Sequence, residues 1–160
     1  MKNSFILVGL LLAASSSSFA AATYSPDQLA QFNLTNQCYS CDLSGAYLSG
    51  NHSNAVFSST NLTGATGSGT FSLANFSGSN LSSSNWSYAN LSYAQLTYIS
   101  LININLTGAE LSYANFEGSV MNNAVLDNAN LYGASITQQQ LNSAKSYCEA
   151  TLPSGSVKHC

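Results

Sequence analysis

A large apolar residue recurs at every fifth position over most of the chain: Phe71, Phe76, Leu81, Trp86, Leu91, Leu96, Leu101, Leu106, Leu111, Phe116, Met121, Leu126, Leu131, Ile136 and Leu141. Two residues before most of these stands a second inward candidate, usually Ala or Ser, as at Ala74, Ser79, Ala89, Ala109 and Ala129, with Ile99 and Ile104 as bulkier exceptions. On an α-helix five residues rotate by about 500°, so the large residues would spiral around the axis and leave no apolar stripe. In a straight strand side chains alternate, and an odd spacing sends successive large residues to opposite faces. A chain that turns a corner every five residues resolves the conflict, because each short edge again points its large residue inward. The period therefore predicts a solenoid.

Within this series Ala89-Asn-Leu-Ser-Tyr93, Ala109-Glu-Leu-Ser-Tyr113, Ala114-Asn-Phe-Glu-Gly118 and Ala129-Asn-Leu-Tyr-Gly133 fit an A(D/N)LXX pattern. From about Cys41 to Leu141 the chain resembles pentapeptide-repeat proteins. The resemblance implies an all-β fold, a right-handed quadrilateral β-helix with about 20 residues per coil. Coils stacked about 4.8 Å apart would place Leu91, Leu111 and Leu131 in one inner ladder, Trp86, Leu106 and Leu126 in another, and Tyr93 against Tyr113 at a corner. Burying each large side chain contributes roughly 1.5 to 3 kcal/mol, offset by the ordering of its pentapeptide, so one coil alone is not stable. The pattern departs from register early: Leu43 and Leu48 do not run in step with Phe57 and Leu62, and Gly64-Ala-Thr-Gly-Ser-Gly69 interrupts it. Irregular or protruding loops are expected there.

The rest of the chain divides around the repeats. Lys2, the apolar run from Phe5 to Ala14 and the small residues ending at Ala22 predict a secretory signal peptide over 1–22, cleaved after Ala20 or Ala22. Its apolar run is shorter than the ~20 residues of a bilayer span. Residues 23–40 are expected to form an N-terminal cap: Ser25-Pro-Asp-Gln28 combines a capping box with Pro at the first helical position, predicting a short helix to about Phe32. Residues 41–141 are the predicted β-helix and 142–160 a C-terminal cap or tail, with Thr137-Gln-Gln-Gln140 starting a second short helix. The four cysteines, Cys38, Cys41, Cys148 and Cys160, form an even set in an exported chain and read as disulfides. Of the three pairings, the local one staples each end. Redox chemistry at Cys38-Tyr-Ser-Cys41 lacks the strand-then-helix context such a motif normally has.

Charge and chemistry exclude more than they assign. Charged residues are 6% of the chain, and beyond the signal the cations are Lys145 and Lys158 alone. That is no footprint for nucleic acid. Nor are six carboxylates enough to imitate a phosphate backbone. His52 and His159, the two histidines, lie near opposite ends of the repeats and read as solvated loop or tail residues, not metal ligands. The serines follow the central residue of each repeat without a base or oxyanion site nearby in sequence. Gly64 to Gly69 lacks the Lys of a phosphate loop, and Glu110, Glu117 and Asp127 are too scattered for a glycosidase pair. No cofactor, metal or enzymatic activity is expected. The N-x-S/T matches, among them Asn61, Asn75, Asn90 and Asn105, follow from the repeat itself.

The outer positions supply the candidate site. The resemblance implies that the residues before and after each central one face outward, which would expose Ile102, Val120 and Val125, with Tyr98 at a neighbouring corner, as a patch for a protein or glycan partner or a second copy of the chain. The composite reading is an exported, non-enzymatic scaffold or interaction module in the periplasm or outside the cell. Two alternatives compete. A topoisomerase-inhibiting DNA mimic, known in the family, is opposed by export and the low acidic count. Ice binding is suggested by Ser72, Ser77, Ser82, Ser87, Ser92 and Thr97, but these fall on different faces, and the vertical row Ser72, Ser92, Ser112, Tyr132 is not Thr-rich.

Overall fold

A computed structural model describes residues 24–160; the signal peptide expected over 1–22 lies outside them. The corner that the period demands is built the same way throughout. The residue two after each central one takes a positive φ, as at Gly78, Gly108, Asn103, Tyr93 and Tyr113, and the residue that follows it closes a β-turn by donating its N–H back to the central carbonyl. Ala94 donates to Leu91 at 3.1 Å and Ala109 to Leu106 at 3.0 Å. The turn redirects the chain, and the small residue at its end (Ala74, Ala89, Ala114, Ala124) is buried beside the large one.

Five successive coils present four central residues each. Coil 1 carries Cys38, Leu43, Leu48 and His52; coil 2 Phe57, Leu62, Gly67 and Phe71; coil 3 Phe76, Leu81, Trp86 and Leu91; coil 4 Leu96, Leu101, Leu106 and Leu111; coil 5 Phe116, Met121, Leu126 and Leu131. Sides one to four are numbered in that order. Extended strands are few, and most sides meet the next coil through single parallel bridges such as Asn85↔Asn105↔Val125 and Asn90↔Glu110↔Asn130. These bridges stack Trp86, Leu106 and Leu126 in one column and Leu91, Leu111 and Leu131 in another, as the period requires. Aromatic rings fill the early core, with Phe57 stacked on Phe76 at 4.7 Å and Trp86 edge-on to Phe71 at 4.9 Å.

The Gly-rich interruption is not a protruding loop. Strand β2, Thr66–Thr70, pairs in parallel with β1, Tyr47–Asn51, in continuous register from Tyr47↔Thr66 to Asn51↔Thr70. The fourth side of coils 1 and 2 is reached after four residues, Leu48 to His52 and Gly67 to Phe71, so bridged partners there are 19 apart, as in Asp42↔Asn61, instead of 20, as in Asn90↔Glu110. Gly50 and Gly69 make the shortening feasible: both have positive φ, and a Cβ on Gly69 would meet the Gly50 carbonyl oxygen at 2.3 Å.

Two helices flank the stack. Helix α1, Pro26–Thr35, starts with the Ser25 side chain accepting from Gln28 and runs three residues beyond the expected Phe32. Phe32 is buried against Phe57 and His52 at ring distances of 4.6 and 4.7 Å. Helix α2, Gln138–Ser143, opens on the capping box of Thr137 and Gln140 and buries Leu141. The chain then rejoins the stack, with bridges Val125↔Ser146 and Asn130↔Thr151, and β3, Ala150–Thr151, pairs antiparallel with β4, Val157–Lys158. Tyr147 and Leu152 pack on the core at this level.

Candidate interaction surface

The second side of coils 4 and 5 gathers three of the four predicted patch residues. Tyr98, 69% exposed, stands at the corner entering this side, directly over Gly118, where a Cβ would meet its ring at 2.5 Å. Its hydroxyl donates to Glu117 Oε1 at 3.2 Å. Ile102 follows Leu101 and is 36% exposed; Val120, 46% exposed, precedes Met121 and is bridged to Ser100. Val125 departs from the expectation. It precedes Leu126, is bridged to Asn105 on the third side, and is only half-buried, not exposed, because the corner after Met121 carries it away from the others.

Beside Val120 the surface opens into a depression of about 490 Å³, lined by residues 117–122, Ser135, Thr137, Gln139, Gln140 and Ser143. It exists because α2 stands where an extended second side of coil 6 would run. Gln140 Nε2 partly replaces that side, donating to the carbonyls of Phe116 (2.7 Å) and Ser119 (3.0 Å). Sequence reasoning found Gln140 as a helix start, not as part of a surface; the signal was an amide side chain in a repeat position normally held by Asn before a central Leu.

The family model for pentapeptide repeats (8 copies) matches this chain twice, over residues 71–108 and 99–138. Residues 71–138 belong to the pentapeptide-repeat family. None of the curated proteins matches it in sequence. Among solved structures it is similar to HetL, a pentapeptide repeat protein involved in heterocyst differentiation regulation from the cyanobacterium Nostoc, at 20% identity and a TM-score of 0.55 over 76% of this chain. The chain spans 65% of the length of HetL, and the likeness is one of fold alone. A pentapeptide repeat protein from the Arabidopsis thaliana thylakoid lumen is 23% identical, with a TM-score of 0.48 over 79% of this chain and 88% of that one. QnrB1, a plasmid-mediated fluoroquinolone resistance protein, is 20% identical over 69% of this chain and 77% of that one, with a TM-score of 0.34.

Elsewhere the remaining candidates lie within the stack or at its ends. His52 is not the solvated histidine expected: it takes the fourth central position of coil 1 and is 7% exposed. Its Nδ1 lies 2.6 Å from Asn36 Oδ1, its Nε2 3.2 Å from the Ser49 carbonyl oxygen, and its ring sits between Phe32 and Phe71. Burial holds its pKa below the ordinary imidazole value, partly opposed by the Ser49 carbonyl. His159 is exposed, 3.0 Å from Glu149 Oε2. Cys38 is bonded to Cys41 and Cys148 to Cys160, with Cα separations of 5.5 and 5.6 Å. Among the described residues no group of three His, Cys, Asp or Glu stands where it could hold a metal ion.

The N-x-S/T matches have a geometric cause. The Asn side chain before the central residue accepts the backbone N–H two residues on: Asn75 from Ser77 (2.9 Å), Asn90 from Ser92 (3.0 Å), Asn105 from Thr107 (3.0 Å). Glu110 does the same for Ser112 (3.0 Å) and also receives the Asn130 amide. Burial pushes the Glu110 carboxyl up, but these hydrogen bonds outweigh it and leave its pKa below the usual value. At the corner after the fourth side, Tyr93 stacks on Tyr113 with ring centroids 4.9 Å apart, and Tyr132 meets Tyr113 edge-on at 5.6 Å.

Proposed function

We propose that this chain is an exported, non-enzymatic pentapeptide-repeat scaffold that binds a protein partner through the second side of coils 4 and 5, with Tyr98, Ile102 and Val120 in contact and Val125 at the margin. The observation that carries this reading is that the exposed side chains of Tyr98, Ile102 and Val120 share one side with an open depression. Contiguous exposed apolar groups beside a concavity mark partner sites more often than scattered ones do. In this reading the stack is the right-handed quadrilateral β-helix of its family, α1 and α2 with the two disulfides close its ends, and 1–22 is the leader that directs export.

Two disulfides suit an oxidising compartment, and among the described residues no helix is long and apolar enough to cross a membrane. Mimicry of DNA is disfavoured by placement as well as number: Glu110, Glu117 and Asp127 project from the fourth, first and third sides and form no acidic stripe. The test is cross-linking capture by the purified mature protein from periplasmic and cell-surface extracts, beside a variant carrying Tyr98→Ser, Ile102→Ser and Val120→Ser. A specific protein partner retained by wild type and lost by the variant supports the reading. A glycan, a second copy of the chain, or equal capture by both forms contradicts it.

A further inference from the structure

On the second side, each central amide donates to the carbonyl of the coil that follows: Leu43 to Asn61 (2.8 Å), Leu62 to Asn80 (2.8 Å), Leu81 to Ser100 (2.9 Å), Leu101 to Val120 (2.8 Å). The corner amides that lead into this side do likewise, Gly78 to Thr97 and Tyr98 to Glu117. In coil 5 the pattern stops. The N–H groups of Gly118 and Met121 have no hydrogen-bond partner among the described residues, although Phe116 and Asn123 on either side still donate to Ser135 and Ser143.

Helix α2 is the reason, since residues 138–143 coil away from the path an extended side would take. The acceptor that lies between the two bare donors, the Ser119 carbonyl, is already filled by Gln140 Nε2. What remains is a short edge that only donates. Met121 is 1% exposed, so its N–H lies at the floor of the depression, where a backbone donor without an acceptor is costly.

We infer that the Gly118–Met121 edge docks a peptide segment of a partner protein that bends over this corner as the next coil would, its backbone carbonyls accepting these two N–H groups. The inference rests on the interaction reading above and gives that partner its chemistry. The coil above shows the required spacing: Tyr98 and Leu101 are accepted by the carbonyls of Glu117 and Val120, three residues apart around the corner at Gly118. Pairing a partner's backbone with an unpaired edge in this way obtains affinity from main-chain hydrogen bonds. A free anion would also suit two bare donors, but the Glu117 carboxylate on the rim opposes it and favours neutral carbonyls, with a basic side chain alongside. Val120 borders both the depression and the exposed patch, and Glu117 joins them through Tyr98, so one segment lies across both.

Amide hydrogen exchange on the ¹⁵N-labelled mature protein tests the edge itself. Gly118 and Met121 are expected to exchange about 100-fold or more faster than Tyr98 and Leu101, their equivalents one coil earlier; equal protection overturns the inference. Linear twelve-residue peptides are then selected from a displayed library on wild type, with counter-selection on Ser135→Trp, which fills the depression from an exposed position while leaving the backbone bonds of residue 135 in place. A selected peptide is expected to slow exchange at Gly118 and Met121 at least about tenfold and to bind Ser135→Trp at least about tenfold more weakly. Failure to select any peptide, or a peptide that leaves both amides unchanged, overturns peptide docking. A partner lost by the triple Ser variant that leaves these amides unchanged removes this inference alone; a peptide that protects them without contacting Tyr98 or Ile102 removes the patch and keeps the edge.

Discussion

The Trp86 indole occupies the space that a side chain on Gly67 would need: a Cβ there would stand 2.1 Å from Trp86 Cε3. The two residues hold the third central position in successive coils, so the largest side chain of the core sits under the one coil that contributes none. Gly67→Ala is predicted to destabilise the fold by about 1 to 3 kcal/mol through overpacking. Combining it with Trp86→Leu should cost less than the sum of the two single changes, because the second relieves the clash made by the first. Denaturant unfolding of the four proteins checks this.

His52 predicts a pH dependence with a definite sign. Its folded pKa lies below the ordinary value of 6.5, so over the interval beneath 6.5 the unfolded chain binds more protons than the folded one, and stability rises with pH there. The contribution is full above 6.5 and is lost as pH falls through that value toward the depressed one. His52→Gln should flatten the melting temperature against pH in that window. The carboxyls of Asp42 and Glu110, whose pKa values are also lowered, act further down: the stability they add is present above their ordinary 3.8 and 4.5 and is lost below. Asp42 owes its shift chiefly to Ser44.

Asn90→Ala tests the turns that generate the N-x-S/T pattern. Asn90 Oδ1 accepts both the Ser92 N–H (3.0 Å) and the Ser92 hydroxyl (2.7 Å). Losing one such bond at a half-buried site costs about 0.5 to 1.5 kcal/mol. Asn90→Asp, which keeps the acceptor, should retain most of it. Thermal melts of both variants separate hydrogen bonding from any effect of the amide donor.

Removal of the Cys148–Cys160 disulfide should act locally. The bond closes a segment of 12 residues that includes the β3–β4 pairing, for which loop-closure arguments give roughly 2 to 3 kcal/mol. In a stack where each coil touches only its neighbours, the loss falls on the end. Hydrogen exchange of a Cys148→Ser, Cys160→Ser protein should show faster exchange from Lys145 onward and unchanged protection at Leu91 and Leu111.

The five-residue period and its inner columns were legible because every central residue from Phe71 to Leu131 is large and apolar, and stacking needs nothing else. The first coils were not. There the central positions include His52 and Gly67, one polar and one without a side chain, and each is explained only by a neighbour in the stack: the Phe32 and Phe71 rings for His52, the Trp86 indole for Gly67. A single sequence shows the residue and not what lies 19 or 20 positions away. Val125 stands one repeat after Val120, and because every repeat turns a corner it falls on the third side and not beside Tyr98 and Ile102. The bare donors of Gly118 and Met121 leave no mark in the sequence, because they arise from the place where α2 leaves the path of the coils.

The most direct test of the account is the affinity of the captured partner for the mature protein and for the Tyr98→Ser, Ile102→Ser, Val120→Ser variant, measured by titration calorimetry on proteins with matching melts. The account predicts binding weakened at least about tenfold in the variant. Equal affinity would contradict it and move the interaction away from the second side of coils 4 and 5.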